Sequence, residues 1–169
     1  PISICAAIAI IFMWSIFYAE RVVDSLKVPD WLKPAAGGLA VGAIAVEFPQ
    51  VLGVGYEATD NALKELVPLW LLLLLIPLKT AATAITLGCR FGGGVFSPSL
   101  CLGAMTGGAF GIIAASVFPD LAASHGAYAI VGMSALAAAT LGAPISTILI
   151  VFELTGDYEI TIAVMVATS

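Results

Sequence analysis

Charged side chains are scarce in this chain of 169 residues: they make up 10% of it, against 61% hydrophobic residues. A water-soluble domain carries roughly 25% charged residues, so this chain lacks the polar surface that such a fold needs. Residues 1–19 and 91–119 hold no charge, and His125 is the only residue that titrates near neutrality between 121 and 152. Each stretch is long enough to cross a hydrocarbon core, which takes about 20 helical residues. The shortage of charge therefore predicts an integral membrane protein.

Basic clusters and catalytic sets are missing as well. Six Lys and Arg residues and a net charge of −5 argue against nucleic acid as a partner. The three cysteines, Cys5, Cys89 and Cys101, show no CxxC spacing, and small buried hydrophobic side chains are the simplest interpretation. No HExxH pattern and no Ser/His/Asp set is present. We therefore expect no enzyme, no metal site and no cofactor.

The apolar segments that remain are repeatedly interrupted by Gly and Pro, which indicates an all-α membrane protein with short, broken helices. Such interruptions are typical of transporters whose ion sites lie near the bilayer midplane. An interfacial Trp14/Tyr18 belt is expected at the end of the first helix. The predicted helices are 2–19, 35–48, 66–87, 98–117, 127–140, 144–154 and 160–169, with loops at 49–56 and 119–124 and a polar helix or turn at 57–65.

Small residues at four-residue spacing predict close helix–helix contacts at two places. One is Gly38 with Gly42, and the other is the series Gly103, Gly107 and Gly111. For the second series we expect a packing role rather than a ligand role.

The most informative segment is the glycine-rich turn ahead of the helix at 98–117. Ser97 is a candidate N-cap and Pro98 a candidate first helical residue. Gly92, Gly93 and Gly94 can take positive φ values that bring successive N–H groups together into an anion-binding nest. Val95 and Phe96 would then present their N–H groups to a small anion, where the helix dipole adds about half a positive charge. The alternative is that the glycines only break the helix and permit tight packing.

Gly94-Val95-Phe96-Ser97-Pro98 resembles the GxFxP signature of the CLC chloride channel and chloride/proton antiporter family. Further matches follow in the order of that family: PDWLKPAAGGLAVG (29–42), PQVLGVGYEA (49–58), GGVFSPSLCLGAMTGGAFG (93–111), YAIVGMSALAAATLGAPIS (128–146) and VFELTGDYE (151–159). The resemblance covers nearly the whole chain.

The resemblance implies a CLC-type inverted-repeat fold, with residues 1–169 forming most of the second half of the membrane domain. It implies chloride bound at Gly94, Val95, Phe96, Ser97 and Pro98, with the amides of Val95 and Phe96 as ligands, and Gly92 and Gly93 supporting the turn. The family's GSGIP-type and GREGP-type segments are not found in this sequence. The chain starts at Pro1 and ends in an apolar run, so we expect a piece of a longer protein.

The resemblance also implies the partners: chloride as substrate, protons if the protein is an antiporter, the lipid bilayer, the missing first half of the subunit, and a second copy in a homodimer. The expected location is a prokaryotic plasma membrane, crossed several times. Channel and antiporter both remain open. A broken-helix transporter for an organic anion or amino acid, and a structural fragment without transport activity, are the alternatives.

Single charged residues each leave two interpretations open. Arg90, where many relatives carry a small residue, is a candidate pore-mouth charge or an interfacial residue that reaches water. Lys79 is a functional intramembrane charge or an interfacial residue facing an acidic partner. Glu153 in the FELTGDY segment either forms a structural ion pair or stabilises a helix terminus, or it takes part in ion transfer.

Overall fold

The computed structural model describes residues 2–25, 29, 31–49, 69–117 and 125–168. Within these ranges the chain forms α-helices joined by turns, and no β-strand is found there. The helices are α1 (Ile2–Ser25), α2 (Lys33–Glu47), α3 (Leu69–Gly88), α4 (Phe96–Val117), α5 (His125–Leu141), α6 (Pro144–Thr155) and α7 (Tyr158–Thr168). The prediction of an all-α protein is confirmed.

Three of these helices, α1, α3 and α4, are long and apolar enough to cross a membrane. The uncharged stretch at 121–152 does not form a single span. Gly142 has a φ of 63° and its N–H donates to Ala138 O at 2.9 Å, which ends α5. Because α5 and α6 have 17 and 12 residues, each is shorter than a full crossing.

Two predicted helix boundaries need correction. The first helix continues past residue 19 to Ser25, since Glu20, Arg21 and Asp24 all lie on exposed positions where charge does not interrupt a helix. The helix at the glycine turn begins at Phe96, two residues before the predicted start. The turn predicted at 57–65, the loop at 119–124 and nearly all of the loop at 49–56 lie outside the described residues.

The tightest packing in the described structure joins α4 to α5 through glycines. A Cβ built on Gly103 would lie 2.5 Å from Gly132 O and 2.6 Å from Met133 Cα, and one built on Gly107 would meet Tyr128 O. The contact is reciprocal, since a Cβ built on Gly132 would lie 2.7 Å from Gly107 Cα. Both helix backbones therefore touch without intervening side chains, which confirms the packing role predicted for Gly103 and Gly107.

The prediction of close helix–helix contacts at Gly38 and Gly42 is wrong, because the close contact is made one residue earlier, at Gly37. In α2 the close-contact position is Gly37, where a Cβ would lie 2.7 Å from both Cβ and Sγ of Cys89. Gly38 would make only ordinary contact with Phe91, and no atom of the described residues lies within 4 Å of a Cβ on Gly42. The buried residues of α2 are Lys33, Gly37 and Ala45, whereas Gly42 is half-buried.

A buried apolar cluster lies beside the glycine turn and holds it. Its members come from four helices: Cys5, Ala9, Phe12, Leu102, Ala135, Leu136 and Ala167, and the Val95 side chain packs against them. The start of α4 is thus anchored to α1, α5 and α7 on one side.

Candidate functional site

The α3 helix ends in a Schellman motif directly before the glycine turn. Arg90 N–H donates to Leu87 O at 3.0 Å, and Phe91 N–H donates to Thr86 O at 3.1 Å. This pair of bonds satisfies the last carbonyl groups of the helix and requires a left-handed residue between them. That residue is Arg90, with a φ of 60°, the only non-glycine in the described residues with positive φ.

The glycines themselves do not adopt the predicted conformation. Gly142 and Gly156 are the positive-φ glycines among the described residues, and Gly92, Gly93 and Gly94 are not among them. The prediction of a nest built from positive φ at these three positions is therefore wrong. The left-handed residue of the turn is Arg90 instead, so none of the three glycines has to adopt that conformation.

The start of α4 differs from the predicted cap. Ser99 N–H donates to Val95 O at 3.1 Å, which is the first intrahelical bond and makes Val95 the N-cap residue. Ser97 is consequently not the N-cap, and Pro98 is the third helical residue rather than the first. At that position proline's missing N–H still has no helical acceptor to lose, so Pro98 remains compatible with the first turn.

The N–H groups of Val95 and Phe96 lie at this helix start. Helix geometry gives them no intrahelical acceptor, and no hydrogen bond from either N–H occurs within the described residues. The helix dipole adds about half a positive charge at the same place. Two N–H donors with that potential behind them can hold a small anion.

The glycine turn is open around these donors. Gly92, Gly93 and Gly94 are exposed, and no described atom lies within 4 Å of a Cβ built on Gly92 or Gly94. The Val95 and Phe96 residues are half-buried, since one side of the helix start packs on the core. Among the described residues, the two N–H donors therefore lie on an open surface rather than in a closed cavity.

Ser99 supports the first turn of α4, a role that the sequence pattern did not predict. Its side chain is fully buried, and its Oγ donates to Phe96 O at 2.6 Å. Serine in a helix commonly bonds back to a carbonyl in this way, so the residue type offered a weak signal.

Arg90 is paired to an acidic residue on another helix. Its Nη2 lies 3.3 Å from Asp24 Oδ1, and Lys33 Nζ lies 3.2 Å from the same oxygen. The Arg90 side chain is 55% exposed, so it lies at the surface beside the turn. Asp24 was not predicted as a site residue because nothing in the local sequence relates it to position 90.

The other two charged candidates lie apart from the turn. Lys79 is only 4% exposed and lies in the middle of α3, so both interpretations of this residue stay open. Glu153 is exposed near the end of α6. Within the described residues, no group of three or more His, Cys, Asp or Glu side chains is arranged to hold a metal ion.

Comparison with known proteins points in one direction. The model of a family described as "Voltage gated chloride channel" matches residues 3–169. The chain is 34% identical to chloride channel protein CLC-f and 36% identical to chloride channel protein CLC-e, both of Arabidopsis thaliana, over 96% and 85% of its length. It is 31% identical over 96% of its length to H(+)/Cl(−) exchange transporter ClcA of Yersinia pestis. The chain spans 23%, 23% and 35% of those three relatives, respectively.

Proposed function

Because this chain belongs to the voltage-gated chloride channel family, we propose that it is part of the membrane domain of a chloride transport protein and supplies one wall of the anion pathway. The observation that carries this proposal is the open start of α4, where the N–H groups of Val95 and Phe96 have no intrahelical acceptor. Residues 1–169 then form most of the second of two inverted repeats, and the first repeat supplies the opposite wall.

Backbone donors suit this task energetically. Moving a small anion out of water costs of order 20 kcal/mol by idealised Born estimates, and several kcal/mol after relaxation. Hydrogen bonds to a charged group contribute roughly 1.5–3 kcal/mol each, so two to four of them offset much of that cost. An ion held in this way can still leave, as conduction requires.

The other residues of the predicted chloride site have supporting roles in this proposal. Gly92, Gly93 and Gly94 leave the space in front of the donors open, since they carry no side chains. Pro98 removes one N–H from the first turn, so the anion meets only a few donors. Ser97 occupies the second helical position, where its N–H also points toward the helix start.

An amide-to-ester substitution at Phe96 tests the proposal in the full-length protein that contains this sequence. The ester removes one N–H donor and keeps the side chain. We expect the chloride Kd measured by calorimetry to rise about tenfold or more, because a lost bond of at least about 1.4 kcal/mol corresponds to that factor.

An ester at Ser99 is the matched control. That N–H donates within the helix to Val95 O, so its loss weakens the first turn while leaving the two anion donors in place. Unchanged chloride affinity in the Phe96 ester, with normal folding, would contradict the proposal.

The choice between channel and antiporter requires the whole protein. We propose a chloride/proton antiporter or a channel, present as a homodimer in a prokaryotic plasma membrane, with no cofactor beyond the transported chloride. Chloride efflux recorded together with proton uptake from liposomes separates the two. Proton movement driven uphill by a chloride gradient identifies an antiporter, and chloride flux without protons identifies a channel.

A transporter for an organic anion or amino acid is the less favoured function. Such a substrate needs side-chain donors or acceptors for its amine and carboxylate. The turn offers two backbone N–H groups between glycines and a phenylalanine, which matches a monatomic anion better.

A further inference from the structure

One face of α1 changes in chemical character along the helix axis. Its exposed residues recur at spacings of three and four, so their side chains lie on one side of the helix. They are Ile10, Ile11, Trp14, Phe17, Tyr18 and Arg21. We refer to these six residues as the α1 stripe. The stripe is aliphatic at its start, then aromatic, and it ends in a cation.

Of the three long helices, α1 is the least covered by the rest of the described chain. Buried residues make up 17% of its apolar segment, against 44% for α3 and 61% for α4. Trp14 is 75% exposed and Tyr18 is 70% exposed. Because α1 is long and apolar enough to cross a membrane, its uncovered face is available to lipid.

The order of side chains along the α1 stripe matches the layers of a bilayer. Aliphatic side chains suit the hydrocarbon core, and Trp and Tyr concentrate where the core meets the headgroups. Arg21 lies three residues beyond Tyr18, which is about 5 Å further along the axis. The headgroup layer is roughly 5–8 Å thick on each side of the core. With Tyr18 at the edge of the core, the guanidinium of Arg21 therefore lies at the level of the lipid phosphates.

Arg21 also has a charge that the described residues do not balance. Its exposed side chain forms no hydrogen bond and no ion pair with any residue in the described part of the chain. The nearest acid on the same helix face is Asp24, whose Oδ1 already accepts from Lys33 and Arg90. Glu20 is the preceding residue, and consecutive residues of a helix do not face each other. The cation at the end of the α1 stripe is thus complementary to an external anion.

An open cavity lies between the aromatic and the cationic part of the stripe. Trp14, Phe17, Tyr18 and Arg21 line it, and its volume is about 250 Å³. That volume equals roughly eight water molecules at about 30 Å³ each. The cavity therefore has room for a phosphate group, whereas acyl chains would lie outside it, along the aliphatic part of the stripe.

We propose that the α1 stripe is a binding site for an anionic phospholipid. The guanidinium of Arg21 donates to the phosphate oxygens, for which its planar fork of N–H groups is suited. The rings of Trp14 and Tyr18 flank the glycerol region, and the acyl chains follow the aliphatic residues. A lipid with net negative charge is preferred, because a zwitterionic headgroup brings its own cation to neutralise the phosphate. The site requires only that α1 spans the membrane and is independent of the proposed chloride site.

The first test compares phosphatidylglycerol with phosphatidylcholine of the same acyl chains. Native mass spectrometry of the full-length protein in detergent gives the apparent Kd of the first bound lipid. We expect phosphatidylglycerol to bind about fivefold more tightly, the factor for one arginine near an anionic lipid. Arg21→Gln should remove this preference and leave the Kd of phosphatidylcholine unchanged.

Two control variants separate direct contact from general charge. Arg21→Lys keeps the cation and should keep most of the preference for phosphatidylglycerol. Glu20→Gln changes the net charge by the same amount at the adjacent exposed position, so it should alter the preference less than twofold. Neither variant removes a contact within the described structure, and size-exclusion chromatography checks that each protein is intact.

The second test locates the lipid. Phosphatidylglycerol with a photoreactive group in its acyl chain should label the peptide that contains residues 10–18. Unlabelled phosphatidylglycerol should suppress the labelling, whereas glycerol phosphate and inorganic phosphate at the same concentration should not.

Each outcome decides the proposal. A preference that survives Arg21→Gln refutes it, and so does an equal and opposite effect of Glu20→Gln, which would indicate general electrostatics. Suppression by free phosphate would identify a site for a soluble anion instead of a lipid. Absence of label from residues 10–18 would mean that another segment of the same protein covers the stripe. Loss of chloride transport in the wild-type protein would affect only the proposed function.

Discussion

Gly103 is a position where a single added methyl group should destabilise the helix bundle. In Gly103→Ala the new Cβ would lie 2.5 Å from Gly132 O and 2.6 Å from Met133 Cα. Both are backbone atoms, so no side-chain rotation can relieve the clash. Real Cβ contacts essentially never fall below 3.0 Å, so α4 and α5 must separate by at least about 0.5 Å. A gap of that size already forfeits about a quarter of the dispersion energy of the contacts it opens.

The expected cost of Gly103→Ala is about 1–3 kcal/mol, the usual range for overpacking. Gly42→Ala is the matched control, since it also lies within a helix but no described atom is within 4 Å of the new Cβ. In Gly42→Ala, the better helix propensity of alanine should raise the free energy of unfolding by roughly 0.5–1 kcal/mol. The two variants should therefore shift the unfolding midpoint in opposite directions.

The assay is thermal unfolding of the full-length protein in detergent, followed by intrinsic fluorescence, after size-exclusion chromatography has shown a single species. If Gly103→Ala were as stable as Gly42→Ala, the direct backbone contact between α4 and α5 would be refuted. A loss of stability in both variants would instead mean that glycine conformation, rather than space, decides the result.

Substitutions at three further places, the Gly37/Gly38 pair, Arg90 and Asp157, test other contacts by the same unfolding assay. Gly37→Ala should destabilise the fold, because the new Cβ would lie 2.7 Å from Cys89 Sγ. Gly38→Ala is the control and should not destabilise the fold, because its Cβ would lie 3.5 Å from Phe91 Cζ. Equal effects of the two substitutions would contradict the packing of α2 on α3. Arg90→Gly should be close to neutral, because relief of the left-handed conformation, about 1 kcal/mol, offsets an exposed ion pair worth at most about 1 kcal/mol. Arg90→Val, by contrast, should be clearly destabilising, and a stable Arg90→Val would refute the Schellman geometry. Asp157→Ala should lower the free energy of unfolding by about 0.5–2 kcal/mol, because Asp157 Oδ1 accepts a hydrogen bond from Glu159 N–H at 2.9 Å and so caps α7. Asp157→Asn should keep most of that stability, because an asparagine side chain can accept the same hydrogen bond.

The sequence alone was sufficient for the membrane class, the helix order and the location of the glycine turn. These follow from local quantities: the lengths of uncharged runs, the positions of Gly and Pro, and the GxFxP pattern at residues 94–98. The packing role of Gly103 and Gly107 was also predictable, because four-residue spacing places small residues on one helix face. Their partner, Gly132, was not, since spacing within one helix says nothing about which helix faces it.

The tertiary structure decided the details of the candidate site. The N-cap moved from Ser97 to Val95, and the left-handed residue proved to be Arg90 rather than a glycine. The contact between Asp24 and Arg90 joins positions 66 residues apart, and Gly37 rather than Gly38 meets Cys89. Composition and periodicity describe each segment by itself, whereas these features depend on how helices rotate and approach one another. That arrangement is fixed by packing across the whole bundle, so only the folded chain could reveal which residues meet.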